Sequence, residues 1–299
     1  MTGFFGAVAA RLAAGERVFL ALVAEHTAHS PGTAGARMAV FEDGSTLGTI
    51  GGGRMEYNLL REVPGWSGPP RLVRRVHRQD HPDASGLVCA GEQRNIYLVL
   101  GPGDAAAVRA CGRCVSEDQP GRFTVTPDGF RFEEAPAESP QRALHEGPDG
   151  WAYTEQLLPL RRAALFGGGH CAQALATLLR DLGWHVTVFD DRPEMVGAVT
   201  VPDMGEAAAR VKYPEWTEAV CLGTDLATDV ASLVGILKRP FPFVGVMGAP
   251  AKLSRIRRAL EQDPGDRLTA PVGLPIGSRT PQEIAVSIAA QLIARRAGT

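Results

Sequence analysis

The sequence predicts an α/β protein of two domains, a mixed α/β domain followed by one with a parallel sheet covered on both faces. Its 299 residues suit two hydrophobic cores of ordinary size. The second half alternates short apolar runs with helix-length stretches, which is the rhythm of parallel strands joined by crossover helices. Each half also carries one run of three glycines, Gly51–Gly53 and Gly167–Gly169, after an apolar run and before a helix-like one. Apolar residues at 44% and charged residues at 21% allow large buried cores and exclude wholesale disorder.

In the first half, residues 3–15 read as a helix and 17–25 as a strand. A loop over 26–36 surrounds Ser30, Pro31 and Gly32. Strands at 38–41 and 46–50 flank a hairpin turn at Glu42, Asp43 and Gly44. The first glycine run opens a helix over 54–63, and strands follow at 71–77 and 94–100, with Cys89, Ala90, Gly91 and Glu92 just before the second. A helix over 104–115 and a hairpin of 122–126 with 129–133 come next. The stretch 136–150 is rich in Pro, Gly, Glu and Asp and reads as a linker or an exposed edge. The domain boundaries expected are therefore 1–135, a connecting segment 136–158, and 159–299.

The second half begins with a strand at 162–166, the second glycine run, and a helix over 170–182 that Gly183 caps. A strand at 184–189 ends at Asp190, Asp191, Arg192 and Pro193. Strands at 219–222 and 243–246 and helices at 226–237, 250–262 and 281–296 complete it. Thr280 is placed as N-cap of the last helix, with Pro281 in its first position and Glu283 closing a capping box.

A net charge of −2 gives no global attraction to nucleic acid or anionic lipid. No apolar run reaches the ~18 residues of a membrane helix. The stretch Met1 to Leu22 lacks a basic start and holds Glu16 and Arg17 inside what would be its apolar core, so it reads poorly as a signal peptide, and a cytoplasmic location is expected. Five cysteines, an odd number, argue against a disulfide framework. Cys111 and Cys114 form a single CxxC with no second pair at metal spacing. His77 and His81 are four apart, but Pro82 and polar surroundings disfavour the helix that would align them.

Gly167, Gly169 and Ala172 fit the GxGxxG/A dinucleotide fingerprint, with a strand before and a helix after. Asp190 lies 23 residues beyond Gly167, near the spacing of an acid that binds ribose hydroxyls. The same glycines also serve close helix–strand packing alone. Arg192 either accepts an extra phosphate or pairs with a neighbour. Gly168 and His170 complete the turn, and His170 at the helix start is free to contact a ligand or simply to face solvent or cap the helix. At the first turn, Arg54 beside Gly51, Gly52 and Gly53 suits a phosphate through its planar fork, and Glu56 either caps the helix or bonds a polar ligand group. The other reading is a tight turn with a solvated arginine. Cys89 beside flexible backbone is a candidate soft metal ligand or sulfur relay, and equally a small core residue.

Taken together these segments resemble the xanthine dehydrogenase accessory factor family (XdhC/CoxI). The matching pieces are Ser30-Pro31 with Ala34 to Met38; Gly48 to Gly53 with Glu56; and Cys89-x-Gly91-Glu92. Further on come Gly167 to His170 with Ala172 to Leu175; Val188 to Pro193; Gly245 to Gly248; and Pro271 to Gly277 with Thr280 to Ile288. The chain departs from the family pattern at Gly32, where an arginine is usual, at Ala90 within the cysteine motif, at Arg54, and at Gly223-Thr224-Asp225 in place of Thr-His-Asp. The resemblance implies an N-terminal family domain and a C-terminal Rossmann-like domain. It also implies a cytoplasmic, dimeric chaperone that binds the molybdenum cofactor as molybdopterin or a dinucleotide form. Such a chaperone supports sulfuration with a cysteine desulfurase and loads apo-enzymes of the xanthine dehydrogenase class. On that reading the two glycine turns hold phosphate, Glu56, His170 and Asp190 contact polar groups, Cys89 touches metal or sulfur, and no turnover is required. An NAD(P)-dependent oxidoreductase built on the second half alone is the alternative; it leaves the first turn and Cys89 unused.

Overall fold

Residues 18–24 of strand β1 (Val18–His26) are all buried, which is possible only if both faces of the strand are covered. Alternation sorts them. Val18, Leu20, Leu22 and Ala24 face one core with helices α1 (Thr2–Ala13) and α3 (Ala105–Ser116), while Phe19, Ala21 and Val23 face another with α2 (Gly53–Glu62). The computed structural model describes residues 2–76, 91–136, 141–148, 150–157, 161–260 and 264–296. The chain divides into two units, Met1–Leu158 and Pro159–Thr299.

In the first unit β1 is the centre of an antiparallel sheet with β2 (Arg37–Val40), β3 (Thr46–Thr49), β4 (Arg71–Val76) and β5 (Glu92–Leu100), in the order β3-β2-β1-β5-β4. A second antiparallel sheet joins β6 (Arg122–Thr126), β7 (Gly129–Glu133), β8 (Arg142–Gly147) and β9 (Gly150–Gln156) in the order β7-β6-β9-β8. The stretch expected as linker or exposed edge thus carries two strands. β8 is indeed the edge, but β9 lies inside the sheet and buries Tyr153 and Glu155. Its turn-prone composition reflects the hairpin connection and the exposed outer half of β8, not a lack of structure.

The two sheets of this unit share one core and one buried charge cluster. Arg37 on β2 donates through Nη2 to Glu155 Oε1 at 2.6 Å, and both side chains are under one-tenth exposed. Arg142 Nη2 reaches the same oxygen at 3.2 Å and the Tyr153 hydroxyl donates to Oε2 at 2.8 Å. Burial opposes ionisation of Glu155, and the two guanidiniums beside it overcome that, holding its carboxyl below the usual glutamate range. The Arg37 guanidinium also lies 4.9 Å from the centroid of the Phe5 ring on α1.

The second unit is a six-stranded parallel sheet of β10 (Arg162–Phe166), β11 (His185–Asp190), β12 (Val199–Thr200), β13 (Thr217–Cys221), β14 (Phe243–Val246) and β15 (Leu268–Thr269). Its order is β12-β11-β10-β13-β14-β15, or 3-2-1-4-5-6 by appearance, the arrangement of dinucleotide-binding folds. Ala163 and Leu165 face α4 (His170–Asp181) and α8 (Pro281–Arg296). Ala164 and Phe166 face α5 (Met204–Ala207), α6 (Leu226–Leu237) and α7 (Pro250–Ala259). Helices on both faces explain why β10 and β13 are buried throughout. Among the described residues no helix is long and apolar enough to cross a membrane.

Removing one partner from a buried ion pair leaves the other uncompensated, at a cost of roughly 3–5 kcal/mol. Arg37→Met is therefore expected to destabilise the first unit by about that much, read as a lowered urea midpoint of the full chain with the second unit's transition unmoved.

Candidate functional site

The three glycines of the second turn differ in what requires them. At Gly167 φ is +101°, and a Cβ would lie 2.8 Å from the amide nitrogen of Gly223. Gly168 would bring a Cβ to 3.1 Å from Asp190 Oδ2. Gly169 has φ −64° and ψ −177°, which any residue adopts, and among the described residues nothing beyond its chain neighbours lies within 4 Å of its Cβ position. It is the N-cap of α4, yet supplies no side chain to the first amides of that helix. Ser, Thr, Asp or Asn is the stabilising choice at such a position. Ala172, the last fingerprint position, is fully buried where α4 meets the sheet.

Asp190 ends β11 with its carboxylate already filled. Oδ2 accepts the Gly168 amide at 2.5 Å and Arg192 Nη2 at 3.0 Å, while Oδ1 accepts the Arg192 amide at 2.9 Å and Nε at 2.8 Å. The Arg192 side chain, helped by the Gly168 amide and opposed by burial, holds the Asp190 carboxyl at about 2. The sequence expects Asp190 to read ribose hydroxyls; in this structure its lone pairs face the chain, and Arg192 pairs with it. His170 is exposed at the start of α4. It lines a groove of about 590 Å³ between α4 and α8, with Gln173, Thr177, Pro281 and Val286.

A second pair at this sheet edge escaped the sequence reading. Asp229 on α6 is buried, and Lys252 in the first turn of α7 forms an ion pair with it and donates to the Gly223 carbonyl at 2.7 Å. Burial raises the Asp229 carboxyl above the usual range despite Lys252. The pair fixes the loop after β13 against Gly167, where Asp225 caps α6 by accepting the amides of Ala227 at 2.8 Å and Thr228 at 3.1 Å. The separation of 23 positions between Asp229 and Lys252 hides the pairing in sequence. The one signal was the unusual Gly223-Thr224-Asp225.

In the first unit three motifs converge. A Cβ at Gly32 would overlap the Ile50 carbonyl oxygen, one at Gly51 would lie 2.8 Å from the Gly32 amide, and one at Gly91 would overlap the Ser30 amide. Gly51, Gly52 and Gly53 have φ of 131°, 75° and 66°, so the backbone itself demands all three glycines. Glu56 Oε1 accepts the Thr49 hydroxyl at 2.7 Å and the amides of Ile50 and Gly52, each at 2.8 Å. The sequence expects phosphate at Gly51–Gly53; in this structure the amides of Ile50 and Gly52 are taken by the carboxylate of Glu56. Arg54 is exposed and makes no hydrogen bond or ion pair among the described residues. Buried Gln93 donates to the Ile50 carbonyl at 3.1 Å, yet its Oε1 and the Ser30 hydroxyl have no partner among the described residues. Cys89, His77 and His81 lie outside the described residues. Cys111 and Cys114 are buried thiols of α3, which burial pushes up in pKa and so makes poor nucleophiles.

Two outcomes follow from this geometry. Glu56→Ala orphans two amides and a hydroxyl and is expected to cost about 1–3 kcal/mol, while Glu56→Gln, which keeps an acceptor oxygen, recovers part of it; thermal unfolding compares the two. Asp190 has a folded pKa below its ordinary 3.8, so its contribution to stability is full above about pH 4 and is lost as pH falls towards 2. Asp190→Asn is expected to flatten that acid limb of the stability curve, and an unchanged limb would assign it to other carboxylates.

Two family models match the chain. The XdhC and CoxI family model covers residues 11–74, which include the first glycine turn, and the XdhC Rossmann domain model covers 164–292, which include the second. Uncharacterized protein YqeB of Escherichia coli (strain K12) is 24% identical over 272 residues, 86% of this chain and 40% of that protein. A Bacillus subtilis (strain 168) protein, named as a probable xanthine dehydrogenase subunit, is 26% identical over 152 residues, 48% of this chain and 46% of its own length. The matched stretch thus spans less than half of either relative. The crystal structure of a xanthine dehydrogenase from Bacillus halodurans matches 99% of this chain and 96% of its own with a TM-score of 0.77 at 20% identity, a likeness of fold. With a model of the same family on each unit, each enclosing that unit's glycine turn, the chain belongs to the XdhC and CoxI family.

Proposed function

We propose that this chain is an accessory factor for molybdoenzymes of the xanthine dehydrogenase class. In this reading it binds the molybdenum cofactor, as molybdopterin or a dinucleotide form, supports its sulfuration together with a cysteine desulfurase, and hands it to the apo-enzyme. It acts in the cytoplasm as a homodimer and needs no turnover of its own. Family membership supports the association with xanthine dehydrogenase, as does the relative named for one of its subunits.

The observation that carries the ligand is Gly169. Of the six glycines in the two turns it is the one that neither its backbone angles nor a neighbouring atom requires. Open space above an uncapped helix start suits a phosphate, which accepts the free amides and meets the positive end of the helix dipole. His170, which lines the groove between α4 and α8, is the candidate contact to the rest of the ligand. In the first unit the unpartnered Ser30 hydroxyl and Gln93 Oε1 suit the ring N–H groups of a pterin. Cys89, two residues before Gly91 in sequence, is the candidate contact to metal or sulfur. When bound, the cofactor supplies the molybdenum chemistry that the client enzyme uses.

An NAD(P)-dependent oxidoreductase is the competing reading, and the 3-2-1-4-5-6 strand order favours it. The filled carboxylate of Asp190 and the unused first turn weigh against it.

Purification from a molybdate-fed, cofactor-competent host is expected to yield stoichiometric molybdenum and oxidised pterin. Absence of pterin, with hydride transfer from a nicotinamide in the same preparation, would replace this reading by the oxidoreductase. Gly169→Ser is expected to raise stability by a few tenths of a kcal/mol through N-capping and to lower pterin retention at least tenfold. Cys89→Ala is expected to keep the fold and lose cofactor retention or sulfuration; normal activation of an apo-enzyme by this variant would remove Cys89 from the site.

A further inference from the structure

We propose that Arg192 is a specificity latch on the second unit: it occupies the carboxylate that would otherwise read a ribose diol, so this unit takes a compact phosphorylated ligand and discriminates against ribose-anchored dinucleotides. The inference rests on the proposal that a phosphate docks at the start of α4, and it narrows the form of the ligand, favouring a phosphomonoester over a nucleotide-bearing one.

Four contacts with the chain fill the lone-pair positions of Asp190, and two of them, from Nε and Nη2 of Arg192, come from one side chain. The other two are backbone amides that do not move with a side chain. A ribose diol brings two hydroxyl donors, the number that Arg192 now supplies. The diol and the guanidinium therefore compete for the same oxygens. The competition is uneven because the Asp190 side chain is 3% exposed while that of Arg192 is 47% exposed. The carboxylate cannot turn to find new partners, whereas the arginine can be withdrawn into solvent.

A second contact closes the same region. Gln173 on α4 donates through Nε2 to the Gly168 carbonyl at 3.2 Å and reaches the Val196 carbonyl at 3.4 Å. Val196 lies in the segment that follows Arg192, so that segment is tied to the glycine turn at two points, Arg192 to Asp190 and Val196 through Gln173. The open position above Gly169 is untouched by either contact. Phosphate access and diol access are thus separated: the first is free and the second is blocked by the chain itself.

The test is calorimetric titration of the full chain and of Arg192→Ala with NAD⁺, NADP⁺ and inorganic pyrophosphate, with thermal unfolding as a check that the exposed arginine is dispensable for folding. The latch predicts that Arg192→Ala binds NAD⁺ at least tenfold more tightly than the unaltered chain, with pyrophosphate affinity unchanged. Equal or weaker NAD⁺ binding by the variant overturns it, and so does failure of both to bind NAD⁺, since the block then lies elsewhere. A selective loss of NADP⁺ affinity would instead make Arg192 a reader of an added phosphate and also overturns the latch. The result is separable from the cofactor proposal: tighter NAD⁺ binding by the variant in a preparation without pterin keeps the latch and rejects the cofactor, and pterin retention without such a gain does the reverse.

Discussion

A tight turn of glycines exposes amides that must find acceptors, and in this protein the acceptors are carboxylates of the chain. Asp190 takes the Gly168 amide and Glu56 takes those of Ile50 and Gly52. The rest of each turn depends on that arrangement. Asp190 draws the end of β11 against the turn after β10, which in turn allows Gly167 to rest on Gly223, and the Asp229–Lys252 pair holds Gly223 from the other side. Glu56 is in the first turn of α2, so the helix that begins at Gly53 supplies the acceptor for the turn that precedes it. Two turns alike in sequence reach the same solution through acids at different distances along the chain, four residues from Gly52 and 22 from Gly168.

The first unit is organised around a different constraint. A strand buried on both faces leaves no route for charge to water, yet Arg37 lies on its neighbour β2 and must be satisfied inside. Glu155 from the other sheet pairs with its Nη2, Arg142 and Tyr153 complete the shell of that carboxylate, and aromatic rings of Phe4, Phe5 and Phe123 surround the guanidinium. Such a cluster is worth little as net stability, because desolvation offsets most of the attraction. What it does supply is register. Sliding either sheet by one residue would place a charge against apolar side chains.

Periodicity made most of this visible in advance. The alternation in β1, the repeat of strand and helix after residue 159, and the glycine turns are local patterns, and local patterns survive into the fold with boundaries shifted by one to three residues. The β8–β9 hairpin was obscured because its outer strand is half exposed and its residues favour turns, while the burial of Tyr153 and Glu155 is decided by a sheet formed from residues about 30 positions earlier. The filled state of Asp190 was half readable: Arg192, two positions on, could meet an added phosphate or a neighbouring acid, and only the fold shows that it pairs with Asp190. Lys252 was not readable, since nothing local distinguishes a lysine in a helix's first turn that reaches a buried acid from one that faces water.

The turns differ in what is left over once internal needs are met. At the first, positive φ at all three positions and contacts of Gly51 with Pro31 and Gly32 account for every glycine, so the run would be glycine with or without a ligand. At the second, conformation accounts for Gly167 and close approach for Gly168, but Gly169 meets neither need. A serine there would cap α4 and stabilise the fold. Retaining glycine therefore costs stability, and such a cost is usual where function needs the space. The side-chain-free position opens above the helix start, beside His170, and away from the carboxylate that Arg192 has closed. That asymmetry, and not the shared triple glycine, is the ground on which the proposed phosphate is assigned to the second unit and the proposed ligand of the first to Ser30, Gln93 and the residues near Gly91.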